Sequence, residues 1–137
     1  MVGAILRRLH AEFVRGRSPR SRAIGPAAAA LGILPIGDNW EQDFGIRIED
    51  GAVMWFNRDP PYDPREEPDS RVRLSILNAA RFKHSELGGL IPPRPDDAVD
   101  CMFCDGRGER TGGDSVLRPC PHCAGGWLPR HLAHESK

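Results

Sequence analysis

Four cysteines towards the C-terminal end, Cys101-x-x-Cys104 and Cys120-x-x-Cys123, constrain this chain more than any other feature of its sequence. Two intervening residues let one tight turn aim both sulfurs of a pair at a single ion, and a second turn completes the tetrahedron. Fifteen residues separate the inner cysteines, a spacing that reads as a four-thiolate zinc site with the connecting segment folded back as a hairpin. Cys101, Cys104, Cys120 and Cys123 are therefore the expected ligands of one structural Zn2+. A redox pair of dithiols is one alternative, but no thioredoxin-like βαβ pattern surrounds the pairs. A catalytic zinc is another, but four thiolates leave it no open position for water. His122 lies inside the second turn and is expected to face solvent rather than replace a cysteine. Zinc binding to such peptides is worth about 10–16 kcal/mol, more than so short a segment gains from its own core, so the module should be unfolded without metal.

The first unit reads Cys101-Met-Phe-Cys104-Asp-Gly106-Arg-Gly108, which is CxxCxGxG. The second, Cys120-Pro-His-Cys123-Ala-Gly125-Gly-Trp127, matches until its last position, where Trp127 replaces glycine. This pattern resembles the cysteine-rich zinc domain of DnaJ-type co-chaperones, over residues 101–129 only. The resemblance implies a zinc-stapled β-hairpin and an ability to bind protein segments. Single-zinc modules of this kind also occur in unrelated small bacterial proteins. DnaJ-type proteins carry four such units and a J domain with a His-Pro-Asp loop; this chain has two units and no His-Pro-Asp. Recruitment of an Hsp70-type chaperone is therefore not implied.

The glycines have a physical task. After each second cysteine the backbone must turn with positive φ so that amide N–H groups point at the thiolates. Thr111–Asp114 can turn the hairpin between strands at about 108–111 and 115–118. Arg107, Arg110 and Arg118 could offset the charge of four thiolates around one divalent ion.

Outside the cysteine module, Val2, Ile5, Leu6, Leu9 and Phe13 mark one face of a helix that Gly16 ends. Arg15–Arg22 reads as a basic loop, and Pro26 with the following alanines as a short helix with proline in its first turn. Asp50-Gly51 between Phe44–Glu49 and Ala52–Phe56 signals a β-hairpin, with Phe44, Ile46 and Ile48 on one face extended by Met54 and Phe56. Trp55 and Phe56 are expected in or near the core. Residues 59–68 read as a solvated loop. Residues 70–82 fit a helix capped by Asp69 or Ser70, with a strand as the alternative. The fold class is α+β: a helix and β-hairpin body at 1–91 with its central hairpin at 44–57, a Pro-rich linker at 92–100, the zinc hairpin at 101–129 and a polar tail at 130–137.

Formal net charge is zero, yet residues 1–30 carry +5 and residues 38–70 carry −7. Overall neutrality argues against a dedicated DNA-binding protein, and the split marks one basic and one acidic surface or two that attract each other. No apolar run approaches a membrane span, and no signal core follows Arg7-Arg8. An Arg-rich start imitates a transit peptide, but cysteines confined to CxxC pairs fit a reducing compartment, and cytoplasm is the default. His10, His84, His131 and His134 have no catalytic partner at a recognisable spacing, although His131-x-x-His134 could bind metal weakly. Trp127-Leu128-Pro129 is expected to pack, or else to anchor a partner peptide. No nucleophile, phosphate-loop or dinucleotide motif is present. The expected role is non-enzymatic: an adaptor or immunity-type protein that binds another protein, its acidic segment covering a basic surface. Nucleic-acid binding through the zinc hairpin and the Arg15–Arg22 loop is the alternative.

Overall fold

The computed structural model describes residues 2–39 and 41–133. The fold is α+β, with antiparallel strands throughout, in two compact units: Met1–Glu67 and Pro68–Lys137. The division thus falls at Glu67/Pro68 and not at the proline-rich stretch 92–100, because the helix after Pro68 is tied to the cysteine hairpin by hydrogen bonds described below.

In the first unit, α1 (Val2–Arg15) buries Leu6 and Leu9 and stops at Gly16, whose N–H donates to the Phe13 carbonyl at 3.0 Å. The basic stretch Arg15–Arg22 is not a loop along its whole length. Ser18 caps α2 (Pro19–Leu31), its Oγ accepting the Ser21 N–H at 3.0 Å, and Pro19 takes the first helical position. The helix therefore begins one proline earlier than expected, and Pro26 lies inside it. Losing one N–H rung there is tolerated because Ile24, Ala27 and Ala28 on either side are fully buried.

Strands β1 (Ile33–Asp38), β2 (Asp43–Arg47), β3 (Val53–Phe56) and β4 (Arg65–Glu66) form one antiparallel sheet in that order. Pro35 and Gly37 disguise β1 in the sequence. As an edge strand it accommodates them at an irregularity, its register slipping between those two residues. The Asp-Gly hairpin forms, but with a longer turn than two residues. Ile46 pairs with Val53 and Phe44 with Trp55, and the Gly51 N–H closes on the Arg47 carbonyl at 2.8 Å. Ile48 leaves the hairpin to donate its N–H to the Gly32 carbonyl at 2.9 Å. The Asp50 carboxylate braces the loop, accepting from Arg47 Nε at 2.9 Å and from the Ala52 N–H at 3.1 Å. Because directly paired residues share a face, and Phe44 and Ile46 pair with Trp55 and Val53, Met54 and Phe56 do not extend that face. They sit opposite Gly45 and Asp43 and cluster with Ala27 and Ile33. The expected loop 59–68 contributes β4, and Trp55, half-buried, donates its indole N–H to Glu67 at 2.8 Å.

In the second unit, residues 70–82 are helical: α3 (Ser70–Lys83) starts from Asp69, whose carboxylate accepts the Arg71 and Val72 N–H groups at 2.8 and 3.2 Å. A 3₁₀ segment, Ser85–Leu90, buries Leu87, and residues 92–98 hold no helix or strand. Two short ladders follow. β5 (Val99–Asp100) pairs with β8 (Trp127–Leu128), and β6 (Glu109–Thr111) with β7 (Leu117–Pro119). The tail opens with a helical turn, α4 (Arg130–Ala133), whose Leu132 is buried beside Leu74, Ala124 and Trp127. Trp127 is thus a packing residue and not an exposed anchor. His134 lies outside the described residues. No helix among the described residues is long and apolar enough to cross a membrane.

At Gly45 the β1–β2 approach leaves no room for a side chain: a Cβ would lie 2.2 Å from the Leu34 carbonyl oxygen. Gly45→Ala should lower unfolding stability by about 1–3 kcal/mol. Gly113→Ala, where a Cβ meets nothing within 4 Å, should stay within about 0.5 kcal/mol of the wild type when both variants are unfolded in urea.

Candidate metal centre

Each CxxC pair forms a tight turn, and the backbone after it reverses through left-handed residues. Asp105, Gly106 and Gly108 have φ of 53°, 77° and 80°, and Gly125 and Gly126 have 83° and 110°. These reversals send two amides back at the sulfurs: the Gly108 N–H lies 3.2 Å from Cys104 Sγ, and the Gly126 N–H 3.2 Å from Cys123 Sγ. The donor to Cys123 is thus one residue closer to its cysteine than the donor to Cys104. Because Gly126 already performs the task, the last position of the second unit is free to be Trp127, which enters β8 instead.

The two turns also lock each other. The Cys101 N–H donates to the Gly126 carbonyl at 2.8 Å, and the Cys120 N–H to the Gly108 carbonyl at 2.9 Å. Each first cysteine is therefore held by a glycine of the other turn, in a pseudo-two-fold exchange. The glycine backbones are in direct contact. A Cβ on Gly108 would lie 2.8 Å from the Gly125 carbonyl carbon, and one on Gly126 would lie 2.3 Å from the Gly106 oxygen.

This interlocking gathers the four ligand atoms. Cys101, Cys104, Cys120 and Cys123 are all buried, and their sulfurs lie within 4.8 Å of one another. Cys101 and Cys120 are 3.8 Å apart at sulfur, Cys104 and Cys123 3.7 Å. A disulfide would need about 2.0 Å. Four sulfurs at about 2.3 Å from a tetrahedral ion stand about 3.8 Å from one another, so the donor set fits such an ion. The four cysteines could hold a metal ion.

As thiols alone, these groups are strained by their burial. It pushes Cys120 up to about 11 and raises Cys123 as well. At Cys104 burial acts upward too, but the Gly108 N–H and the neighbouring sulfurs outweigh it and hold the thiol below its usual value. A metal must displace these protons, so its binding weakens as pH falls.

The arginines expected to offset the thiolates do not do so directly. Arg118 turns to Asp114, with contacts of 2.6 and 3.1 Å, while Arg107 and Arg110 are exposed. His122 is half-buried, not simply solvated, and its ring stacks on Phe103 at 4.0 Å between centroids. Arg15–Arg22 belongs to the other unit.

Asn78 is the residue that motif reading overlooks. It is fully buried in α3, and its Nδ2 donates to the carbonyls of Gly108 at 2.9 Å and Cys120 at 3.2 Å. Arg81 donates to its Oδ1 at 2.8 Å and so fixes the amide's orientation. One side chain thus clamps both cysteine turns to the helix. A lone asparagine in a helical segment carries no spacing signal that would have disclosed this.

No family model, curated protein or solved structure matches the chain. The likeness to DnaJ-type modules therefore rests on the CxxCxGxG pattern itself.

Removing the clamp should loosen the centre. Asn78→Ala leaves two carbonyls short of a buried donor, at about 1–3 kcal/mol. Competition against a chromophoric chelator should show roughly tenfold weaker metal binding, and Asn78→Asp, which sets a carboxylate against those carbonyls, should be weaker still.

Proposed function

We propose that Cys101, Cys104, Cys120 and Cys123 hold one structural zinc ion, and that the protein acts by binding rather than by catalysis. The observation that carries this reading is the spacing of four buried sulfurs, 3.7–3.8 Å across the two linked turns. An all-sulfur tetrahedral set selects a thiophilic ion, and zinc is the redox-inert member of that class. A complete set leaves no coordination position for substrate or water. Zinc would supply a cross-link and would neutralise charge, with the Gly108 and Gly126 amides bearing part of the remaining negative charge. The DnaJ-type likeness belongs to this reading as a zinc-stapled hairpin without the co-chaperone's other parts. A compartment that keeps thiols reduced, the cytoplasm first, suits it.

The partner we propose is another protein, in an adaptor or immunity-type role. The acidic middle of the chain supports this. Asp38, Glu41, Asp43, Asp59 and Asp63 line a cleft of about 660 Å³ in the first unit, together with Arg58. Arg58 pairs with Asp43 at 2.8 Å and with Asp38 at 3.3 Å, which leaves the cleft acidic. A basic surface on a partner would complement it.

Elemental analysis should find one zinc per chain, and Cys120→Ser should reduce it substantially. Chelation should abolish hydrogen-exchange protection of the Cys101, Cys120, Gly108 and Gly126 amides while sparing β2 and β3. Protection unchanged by chelation would defeat the structural-zinc reading.

A further inference from the structure

The pseudo-two-fold relation of the cysteine turns has a consequence at their tips. Phe103 and His122 occupy the same position in each turn, third of Cys-x-x-Cys, as Met102 and Pro121 occupy the second. The relation brings the two rings side by side: their centroids are 4.0 Å apart and the planes 26° from parallel. Phe103 remains 48% exposed and Met102 91%. A phenylalanine placed this openly on a cysteine turn does not serve the core, whose nearby clusters join the cysteines with Leu128, and Leu74 with Ala124, Trp127 and Leu132.

Cations surround this stack. Arg71, in the first turn of α3, and Arg110, on β6, lie within electrostatic reach of the His122 ring. Arg110 also lines a shallow cleft of about 540 Å³ with Thr111, Arg118, Pro119 and Pro121, to which no acidic side chain contributes. Arg110 stands directly across the strand pair from Arg118, an unfavourable juxtaposition of like charges in the free protein. Asp114 engages Arg118, but neither Arg71 nor Arg110 has a carboxylate within ion-pair distance among the described residues.

An open aromatic face beside unpaired guanidinium groups is the chemistry that receives an unstacked base and its phosphates. We propose that the tips of the cysteine turns form a binding site for single-stranded nucleic acid, with a base stacking on the Phe103–His122 pair and Arg71 and Arg110 contacting flanking phosphates. The zero net charge of the chain counts against a broad duplex footprint, but a site of one or two nucleotides needs only this local cation pair. The site draws on no residue of the acidic cleft or of the Arg15–Arg22 segment. It goes beyond the zinc reading while depending on the turns being held in place.

Fluorescence anisotropy of the zinc-loaded full chain with a labelled oligothymidylate or oligouridylate of about 12 nucleotides tests this at low salt. Saturable binding is expected, weakening with salt. Phe103→Ala should weaken it about tenfold, and Arg71→Ala with Arg110→Ala should both weaken it and flatten its salt dependence. Zinc content unchanged from the wild type shows that each variant keeps its fold. Arg17→Ala with Arg22→Ala should leave affinity unaltered. The proposal is overturned by absence of binding at low salt, or by binding that survives the Phe103 and Arg71/Arg110 substitutions. It is equally overturned if an acidic peptide binds through Phe103 where the oligonucleotides do not.

Discussion

The exchange of hydrogen bonds between the two cysteine turns is the constraint on which the second unit depends. Each turn alone is a short reversal rich in glycine, with strands of only two or three residues on either side. Ladders of that length do not persist in water by themselves. Linking Cys101 to Gly126 and Cys120 to Gly108 makes each turn a condition of the other, and it buries four thiols together, with burial raising Cys120 and Cys123. A metal ion held by the four cysteines would join the turns and would replace protons with a charge that the thiolates and their amide donors can share. Asn78 extends the same logic outward, because it hydrogen-bonds a carbonyl from each turn and so commits α3 to the centre.

This commitment explains how the chain divides. A proline-rich stretch is a natural place to expect a boundary, since proline stiffens a chain and weakens its local packing. The contacts across residues 92–98 run from α3 to the cysteine turns through Asn78 and through Leu74, which packs with Trp127. Long-range packing therefore overrides local composition, and the helix belongs with the module that follows it.

Much of the architecture was legible in the residues. The CxxC spacing, the glycines that follow it, the stripe of α1, the cap at Asp69 and the Asp-Gly turn each report local chemistry, and each has its counterpart in the fold. What remained hidden depends on distant partners. β1 is broken by Pro35 and Gly37, which only its place at a sheet edge makes acceptable. The basic composition of Arg15–Arg22 reads as loop, and the Ser18 cap that starts α2 inside it shows only in the fold. The register of the β2–β3 hairpin, which pairs Ile46 with Val53, comes from a loop longer than Asp-Gly requires. Asn78, the principal polar residue beside the centre, looks in the sequence like any helical asparagine.

The two units present different chemistry: an acidic cleft in the first, and an aromatic pair with unpaired arginines on the turns of the second. Both surfaces enter the binding roles we propose, which stand first on the metal. X-ray absorption at the zinc edge of the purified, zinc-loaded chain tests it most directly. The account predicts a single shell of four sulfurs at about 2.3 Å. A shell containing nitrogen or oxygen, or fewer than four sulfurs, would contradict it.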